Sequence, residues 1–111
     1  MKIIDSPISK SDLLASEIVF DGPMVKGVVD IKKELLGIDA HMHADIEQFM
    51  LSNGSNQDDL WGINLYPKDL EDFIEFDSMI NIRPRQGNRS RSVENPEIQA
   101  KIVKVVTKWI K

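Results

Sequence analysis

The chain has 111 residues and no cysteine, and its 14 basic against 18 acidic side chains give a net charge of −4. This length predicts one small domain over residues 1–111, because domains most often contain roughly 100–150 residues. Without cysteine the chain forms no disulfide and no thiolate zinc site. Polar residues close to the start and the lack of a long apolar run predict neither a signal peptide nor a membrane span. We therefore expect a cytoplasmic protein with no membrane partner.

The first quarter of the chain predicts a strand followed by a short helix. Residues 1–5 begin with apolar side chains and end before a proline, which is typical of an edge strand. Ser9 and Asp12 have the spacing of a weak capping box, which predicts a helix extending through residue 18. The Asp-Gly-Pro sequence at 21–23 then ends that helix.

Two further elements follow in the middle of the chain. Residues 24–38 are rich in valine and isoleucine and contain flanking glycines, which favours a hairpin with its tip at 32–34. The same apolar residues also fit a helical period, so a helix stays open as the alternative. Residues 42–52 predict a helix that ends at an Asn-Gly pair, with a shared apolar face of Met42, Ile46, Phe49 and Met50.

The second half predicts two paired strands and a final helix. Residues 60–66 and 73–83 both alternate apolar and polar side chains, and a short acidic turn between them predicts an antiparallel hairpin. Asn95 is a predicted N-cap, followed by Pro96 at the first helical position and a continuous apolar stripe up to residue 110. The predicted fold is therefore α+β: a mostly antiparallel sheet of four or five strands, with two or three helices on one face.

A histidine segment supplies the first candidate site. His41, His43, Asp45 and Glu47 place imidazoles and carboxylates at alternate positions. These groups are candidate metal ligands, and His43 with Asp45 or Glu47 is a candidate acid–base pair. The pattern is weak, because a closed metal site needs three or four ligands and no second cluster supplies them. A solvated first turn of the helix is the favoured interpretation.

An arginine-rich loop supplies the second candidate site. Its predicted ligand-binding residues are Arg83, Arg85, Asn88, Arg89 and Arg91. Guanidinium groups bind phosphate and carboxylate in a bidentate manner, and backbone N–H groups of a glycine-bearing loop can converge on one anion. The alternative is that these arginines pair with the chain's own acidic stretches.

The charge distribution bears on the same alternative. Residues 1–81 carry a net charge of −10, whereas residues 82–111 carry +6. Such asymmetry is typical of polyanion binding, but it also arises when a basic segment packs against its own acidic body. We favour internal packing, because the net negative charge weakens long-range attraction to nucleic acid.

Strand 60–66 supplies a third candidate surface. Trp61 shares a face with Ile63 and Leu65 and is predicted to lie in the core, whereas Asn64 and Tyr66 face the other way and are candidate binding residues. In the predicted hairpin they lie beside Glu75, Asp77 and Asn81. Gly62 marks a bulge or the close approach of another backbone.

Three sequence blocks resemble a family of short prokaryotic proteins of unassigned function. The blocks are HAD-x-E at 43–47, DLWGIN-x-YP at 59–67 and EFDSMINIRP-x-Q-x-NRSR at 75–91. The resemblance covers nearly the whole chain. It implies a free-standing small domain in the cytoplasm, and it implies no activity and no catalytic residue.

Three functions are consistent with these features. The leading one is a small binding module, rather than an enzyme, that recognises an anionic small molecule, RNA or an acidic protein surface through the arginine loop. The second is a small hydrolase or nuclease that uses the histidine segment while the arginines hold a phosphate, which requires the two segments to meet in space. The third is a structural protein or homodimer. No dinucleotide or phosphate-loop motif is present, and we predict no cofactor.

Overall fold

The sheet is antiparallel throughout and has the strand order β1-β3-β2-β4-β5. The computed structural model describes residues 1–15, 17–69 and 71–111. Within those ranges the elements are β1 (Lys2–Ile4), α1 (Lys10–Ala15), β2 (Val25–Asp30), β3 (Leu35–Ile38), α2 (His43–Ser52), β4 (Leu60–Leu65), β5 (Ile74–Glu75) and α3 (Pro96–Trp109). Short 3-10 turns lie at Gln57–Asp59, Met79–Asn81 and Pro84–Gln86. The predicted α+β class is confirmed.

Residues 24–38 form the predicted hairpin and not the alternative helix. β2 and β3 pair from Gly27 opposite Ile38 to Asp30 opposite Leu35. The Asp30 carboxylate accepts hydrogen bonds from the backbone N–H groups of residues 32 and 33, at 3.0 and 2.8 Å. Asp30 therefore closes the turn as well as ending the strand.

The capping signals are confirmed where the sequence predicts them, but α1 ends at Ala15 and residues 17 and 18 are not helical, so the prediction of a helix through residue 18 is wrong. Ser9 and Asp12 form a reciprocal capping box, with N–H to side-chain oxygen distances of 3.0 and 2.9 Å. Asn95 caps α3 by accepting a hydrogen bond from the backbone of Glu97 at 2.8 Å. Gly54 takes a φ of +100° just beyond α2, where glycine adopts the left-handed backbone without strain.

The helices pack on both faces of the sheet, so the prediction of a single covered face is wrong. α1 and α3 lie over the face that carries Val29 and Trp61. α2 lies on the opposite face, where its buried residues pack against Val28 and Leu60. The physical reason is that Val28 and Val29 are adjacent in β2 and both fully buried, so both faces of that strand need an apolar cover.

The predicted strand over 73–83 ends at Glu75, and its later part is wrong. β5 pairs with β4 at Asn64 and Leu65, which confirms the hairpin only at its turn end. After residue 75 the chain crosses over Gly62, whose absent Cβ would lie 2.5 Å from Ser78. Asn81 is fully buried although alternation assigns it to the polar face. Alternation alone therefore mistakes an irregular segment for a strand.

Candidate functional site

Residues 76–92 form an irregular segment whose shape is fixed by two buried asparagines. Asn81 accepts a hydrogen bond from the Gly62 N–H at 2.8 Å and donates to the Gly62 carbonyl at 2.9 Å. This amide pairs with the open edge of β4 as a neighbouring strand would. Asn88, one of the predicted ligand-binding residues, donates to the carbonyls of Asn81 and Ser92 at 2.7 Å and accepts from the Glu94 N–H. Its side chain is therefore bound to the loop's own backbone.

The anion cradle predicted in the arginine loop is occupied by the chain itself. One carboxylate oxygen of Glu94 accepts hydrogen bonds from the backbone N–H groups of Arg89 and Ser90, both at 2.9 Å, and from the Ser90 hydroxyl at 2.8 Å. The bonds from Ser90 and Arg89 lower the pKa of Glu94, because they stabilise the charged carboxylate. The backbone N–H groups of Arg89 and Ser90, which could have bound an external anion, are therefore already bound to the Glu94 carboxylate.

Two of the four arginines of the loop, Arg83 and Arg91, bind other residues of the same chain. The Arg83 guanidinium donates to the Leu60 carbonyl, lies 3.4 Å from Glu47 and lies 4.9 Å from the Trp61 ring centre. Burial lowers the pKa of Arg83 and raises that of Glu47, since desolvation disfavours each charged form. Arg91 pairs with Asp77 at 2.7 Å, which is the internal pairing considered as the alternative. Arg85 and Arg89 are exposed.

The four residues of the histidine segment lie on three separate surfaces. His41 and Asp45 line one shallow depression, Glu47 faces Arg83, and His43 faces a cleft on another side of α2. Among the residues that the structure describes, no group of three His, Cys, Asp or Glu side chains is arranged to hold a metal ion. The segment is thus not gathered into one site.

The cleft that His43 faces also contains a residue of the arginine loop, Arg91. It has a volume of about 280 Å³, and we call it the Asn64 cleft. Its lining residues come from the start of α2, from β2 and β4, and from the irregular segment. They are Asp21, Met24, Lys26, Met42, His43, Ala44, Asn64, Asp77, Ser78, Met79, Ile80 and Arg91. Two predicted constellations therefore meet here, through one residue each.

His43 enters the cleft with its Nε2 beside the backbone of β4. Its Nε2 lies 2.8 Å from the Ile63 carbonyl oxygen, and because a carbonyl only accepts, Nε2 carries the proton. Burial lowers the pKa of His43 from its ordinary value of 6.5, whereas the bond to Ile63 and the nearby Asn64 amide oppose the change. The ring is thereby held in one tautomer with Nδ1 as its acceptor.

Asn64 lines the cleft with its amide held in one orientation. Its Nδ2 donates to the Glu75 carboxylate at 2.9 Å and to the Asp77 carbonyl at 3.1 Å, which fixes the orientation of the amide. Asn64 is only 3% exposed, and its Oδ1 has no hydrogen-bond partner among the described residues. Buried polar atoms are almost always paired, and the hydrogen bond by which the Asn64 side chain raises the pKa of His43 makes the protonated His43 ring a donor to this oxygen.

Tyr66, the other polar candidate of β4, lies outside this cleft. Its hydroxyl donates to Glu75 at 3.0 Å, and this carboxylate raises the pKa of Tyr66. Tyr66 and Asn64 therefore share one acceptor, and Tyr66 acts on the cleft only through Glu75.

The charges around the Asn64 cleft are balanced. Lys26 lies 3.4 Å from Asp21 and donates to the His41 carbonyl at 2.8 Å, and Arg91 pairs with Asp77. The predictions from sequence included Arg91 and Asn64 but missed Lys26 and the exposed methionines of this cleft. Strand pairing places Lys26 directly opposite Asn64, and the irregular segment brings Met79 to the cleft, so neither position follows from the local sequence.

A comparison with protein families identifies one that spans almost the whole chain. The model of that family, described as a protein of unknown function (DUF5674), matches residues 2–109, and the chain belongs to this family. No curated protein and no solved structure matches the chain. Within the described residues, no helix is both long enough and apolar enough to cross a membrane.

Proposed function

We propose that this member of the DUF5674 family is a small binding module whose recognition site is the Asn64 cleft. One observation carries the proposal: Arg91 and Lys26 line the same cleft of about 280 Å³, and the Arg91 side chain stays 54% exposed although it pairs with Asp77.

The cations of the cleft support a carboxylate or phosphate as the second group of the ligand. Arg91 is 54% exposed at its side chain, so guanidinium N–H groups beyond those facing Asp77 are open to an anion. Lys26 also lines the cleft. Because Asp21 and Asp77 already balance these charges, recognition depends on direct contact rather than on long-range attraction. Arg91 is thus the loop arginine that we assign to binding.

A hydrolase or nuclease is the second candidate, favoured by the meeting of His43 and Arg91 in one cleft. A neutral imidazole can accept a proton while a guanidinium holds an oxyanion. Asp45 and Glu47, however, lie on other surfaces and do not orient His43. Binding is therefore the better supported function. Loss of any measured turnover in His43→Ala, with ligand binding retained, would support the enzyme instead.

We also infer a cytoplasmic location, since a cysteine-free chain is compatible with a reducing compartment. The homodimer considered from the sequence remains a proposal. Light scattering on the purified chain distinguishes it from a monomer.

A matched pair of arginine variants tests the cleft as the binding site. The probes are inorganic phosphate and N-acetylaspartate, titrated at low salt into the wild type, Arg91→Gln and Arg89→Gln while amide NMR shifts are recorded. Both variants remove one positive charge from the same loop, but only Arg91 lines the cleft. We expect Arg91→Gln to weaken binding about tenfold or more and Arg89→Gln to change it less than about twofold. Equal weakening by both, or none by Arg91→Gln, would contradict the assignment.

A further inference from the structure

We propose that the Asn64 cleft takes up one proton at His43 when it binds its anion, so that anion binding strengthens as the pH falls. This inference rests on the proposed function and describes how pH regulates the same site. Two features of the cleft support it: the balance of the charges in its lining, and the pair of hydrogen-bond acceptors beside the His43 ring.

The charged side chains that line the Asn64 cleft balance one another before an anion binds. Lys26 pairs with Asp21 at 3.4 Å. Arg91 pairs with Asp77 at 2.7 Å. An anion that enters therefore brings negative charge for which the lining holds no spare positive charge. His43 is the remaining titratable side chain of this lining, and histidine is the residue that ordinarily gains a proton between pH 8 and pH 5.

The surroundings of the His43 ring suit its protonated form. Nε2 already carries a proton, because it lies 2.8 Å from the Ile63 carbonyl oxygen. A proton taken up from the solvent therefore binds Nδ1, and the ring then donates from both nitrogens. Asn64, the next residue of β4, has a buried Oδ1 that lacks a partner among the described residues and that accepts from the protonated ring. Protonation thus provides for two acceptors where the neutral ring provides for one.

Before an anion binds, several groups disfavour a charged His43 ring. Burial lowers its pKa most, and Lys26 on β2 acts in the same direction. His43 is also the first residue of α2, and the partial positive charge at the start of a helix disfavours a cation there. The Ile63 carbonyl, the Asn64 side chain and Asp77 oppose this lowering. A small increase in nearby negative charge is therefore enough to favour protonation.

Anion binding increases that negative charge in two ways. The anion itself lies in the cleft that His43 lines. By drawing on Arg91, it also weakens the hold of Arg91 on Asp77, whose carboxylate already favours the charged ring. Glu75 of β5 is bound by the Asn64 amide at 2.9 Å and keeps that partner. The affinity for the anion therefore rises as the pH falls, and by linkage the same anion raises the pKa of His43.

Titration of N-acetylaspartate into the full chain at pH 7.5 and pH 5.0 tests the inference, because both carboxylates of this probe stay ionised over that range. We expect the wild type to bind at least about threefold more tightly at pH 5.0. His43→Gln keeps a side-chain N–H but cannot gain a proton, so its affinity should change by less than about 1.5-fold. His41→Gln removes the other histidine, which is exposed and lies outside the cleft, and should keep the wild-type dependence.

An NMR titration of the His43 imidazole measures the same coupling in the wild type. Saturation with N-acetylaspartate should raise the pKa of His43, because the bound anion stabilises the charged ring. In Arg91→Gln, which removes one of the two cations that line the cleft, the same concentration of N-acetylaspartate should leave the pKa of His43 unchanged.

The outcomes separate this inference from the proposed function. If N-acetylaspartate binds with dependence on Arg91 but with equal affinity at the two pH values, the cleft remains a binding site and the proton inference is overturned. A pH dependence that persists in His43→Gln, or a pKa of His43 that the bound anion does not raise, also overturns it. Absence of binding at both pH values contradicts both proposals.

Discussion

Different interactions fix the shape of two regions: the β2–β3 hairpin with α3, and the irregular segment 76–92. In the first region, regular backbone pairing and a continuous apolar stripe, with Ile102, Val105 and Val106 buried, supply the order. In the second, buried side-chain amides and one carboxylate bind backbone groups that no helix or strand satisfies. The irregular region therefore depends on a few specific atoms, and it is also the region that borders the candidate site.

The largest effect that we expect comes from removing the amide that pairs with the edge of β4. Asn81→Ala leaves the Gly62 N–H and carbonyl unpaired in a buried place, so it should lower the free energy of unfolding by about 3 kcal/mol. Asn53→Ala removes a single bond from an exposed asparagine and should cost less than about 1 kcal/mol. Urea denaturation of both variants measures the difference. Equal costs would show that the amide does not hold the segment.

Gly62→Ala tests the close approach of the segment to the sheet. The added methyl group would lie 2.5 Å from Ser78 and 3.0 Å from Ile80, so either β4 or the irregular segment must move. We expect a loss of about 2 kcal/mol, with altered amide shifts at residues 77–81. Gly27→Ala, whose Cβ would meet the side chains of Leu36 and Ile63 at 3.3 and 3.4 Å and backbone no closer than 3.6 Å, should change stability by less than about 1 kcal/mol. A larger loss of stability in Gly27→Ala than in Gly62→Ala would contradict the close approach of the irregular segment to β4.

The sequence predicts the regular elements well and the irregular segment 76–92 poorly. Capping residues and apolar periodicity predict α3 and the start of the first helix, and the valine-rich, glycine-flanked composition favours the 24–38 hairpin, because their hydrogen bonds connect residues that are near in sequence or regularly spaced. The predicted end of the first helix at residue 18 is wrong. The path after Glu75 depends on one amide that reaches Gly62, 19 residues away. Alternating side chains carry no information about such a bond, so the strand over 73–83 is wrong beyond Glu75.

The candidate site was predictable only in part for the same reason. Strand alternation placed Asn64 on a polar face, and the contacts with Glu75 and Asp77 agree with that. The composition of the loop pointed to Arg91. Periodicity gave no means of knowing that Glu94 fills the loop cradle, or that Lys26 and Met79 join Asn64, since tertiary contacts decide both.

A smaller effect concerns pH, because His43 is a partly buried titratable group beside the irregular segment. Its pKa is lowered in the folded chain, mainly by burial, so the unfolded chain binds more protons once the pH falls below about 6.5. Stability should therefore decrease on acidification from pH 7.5 to 5.5. His43→Gln should make this decrease shallower, as measured by urea denaturation at each pH. An unchanged slope would show that His43 does not titrate differently in the folded state.

The most direct test of the cleft follows the side-chain amide of Asn64 by NMR in ¹⁵N-labelled protein. Its Nδ2 donates to the carbonyl of Asp77, whose carboxylate pairs with Arg91, so an anion that draws Arg91 away from Asp77 should shift the Nδ2 protons on titration with phosphate or N-acetylaspartate. The amide of Asn53, which donates to the Phe49 carbonyl in α2 and does not line the cleft, serves as an internal control and should stay in place. A shift at Asn64 together with Arg91 is the result that the cleft predicts. Shifts confined to Arg85, Arg89 or the lysines of α3, with Asn64 unchanged, would contradict it.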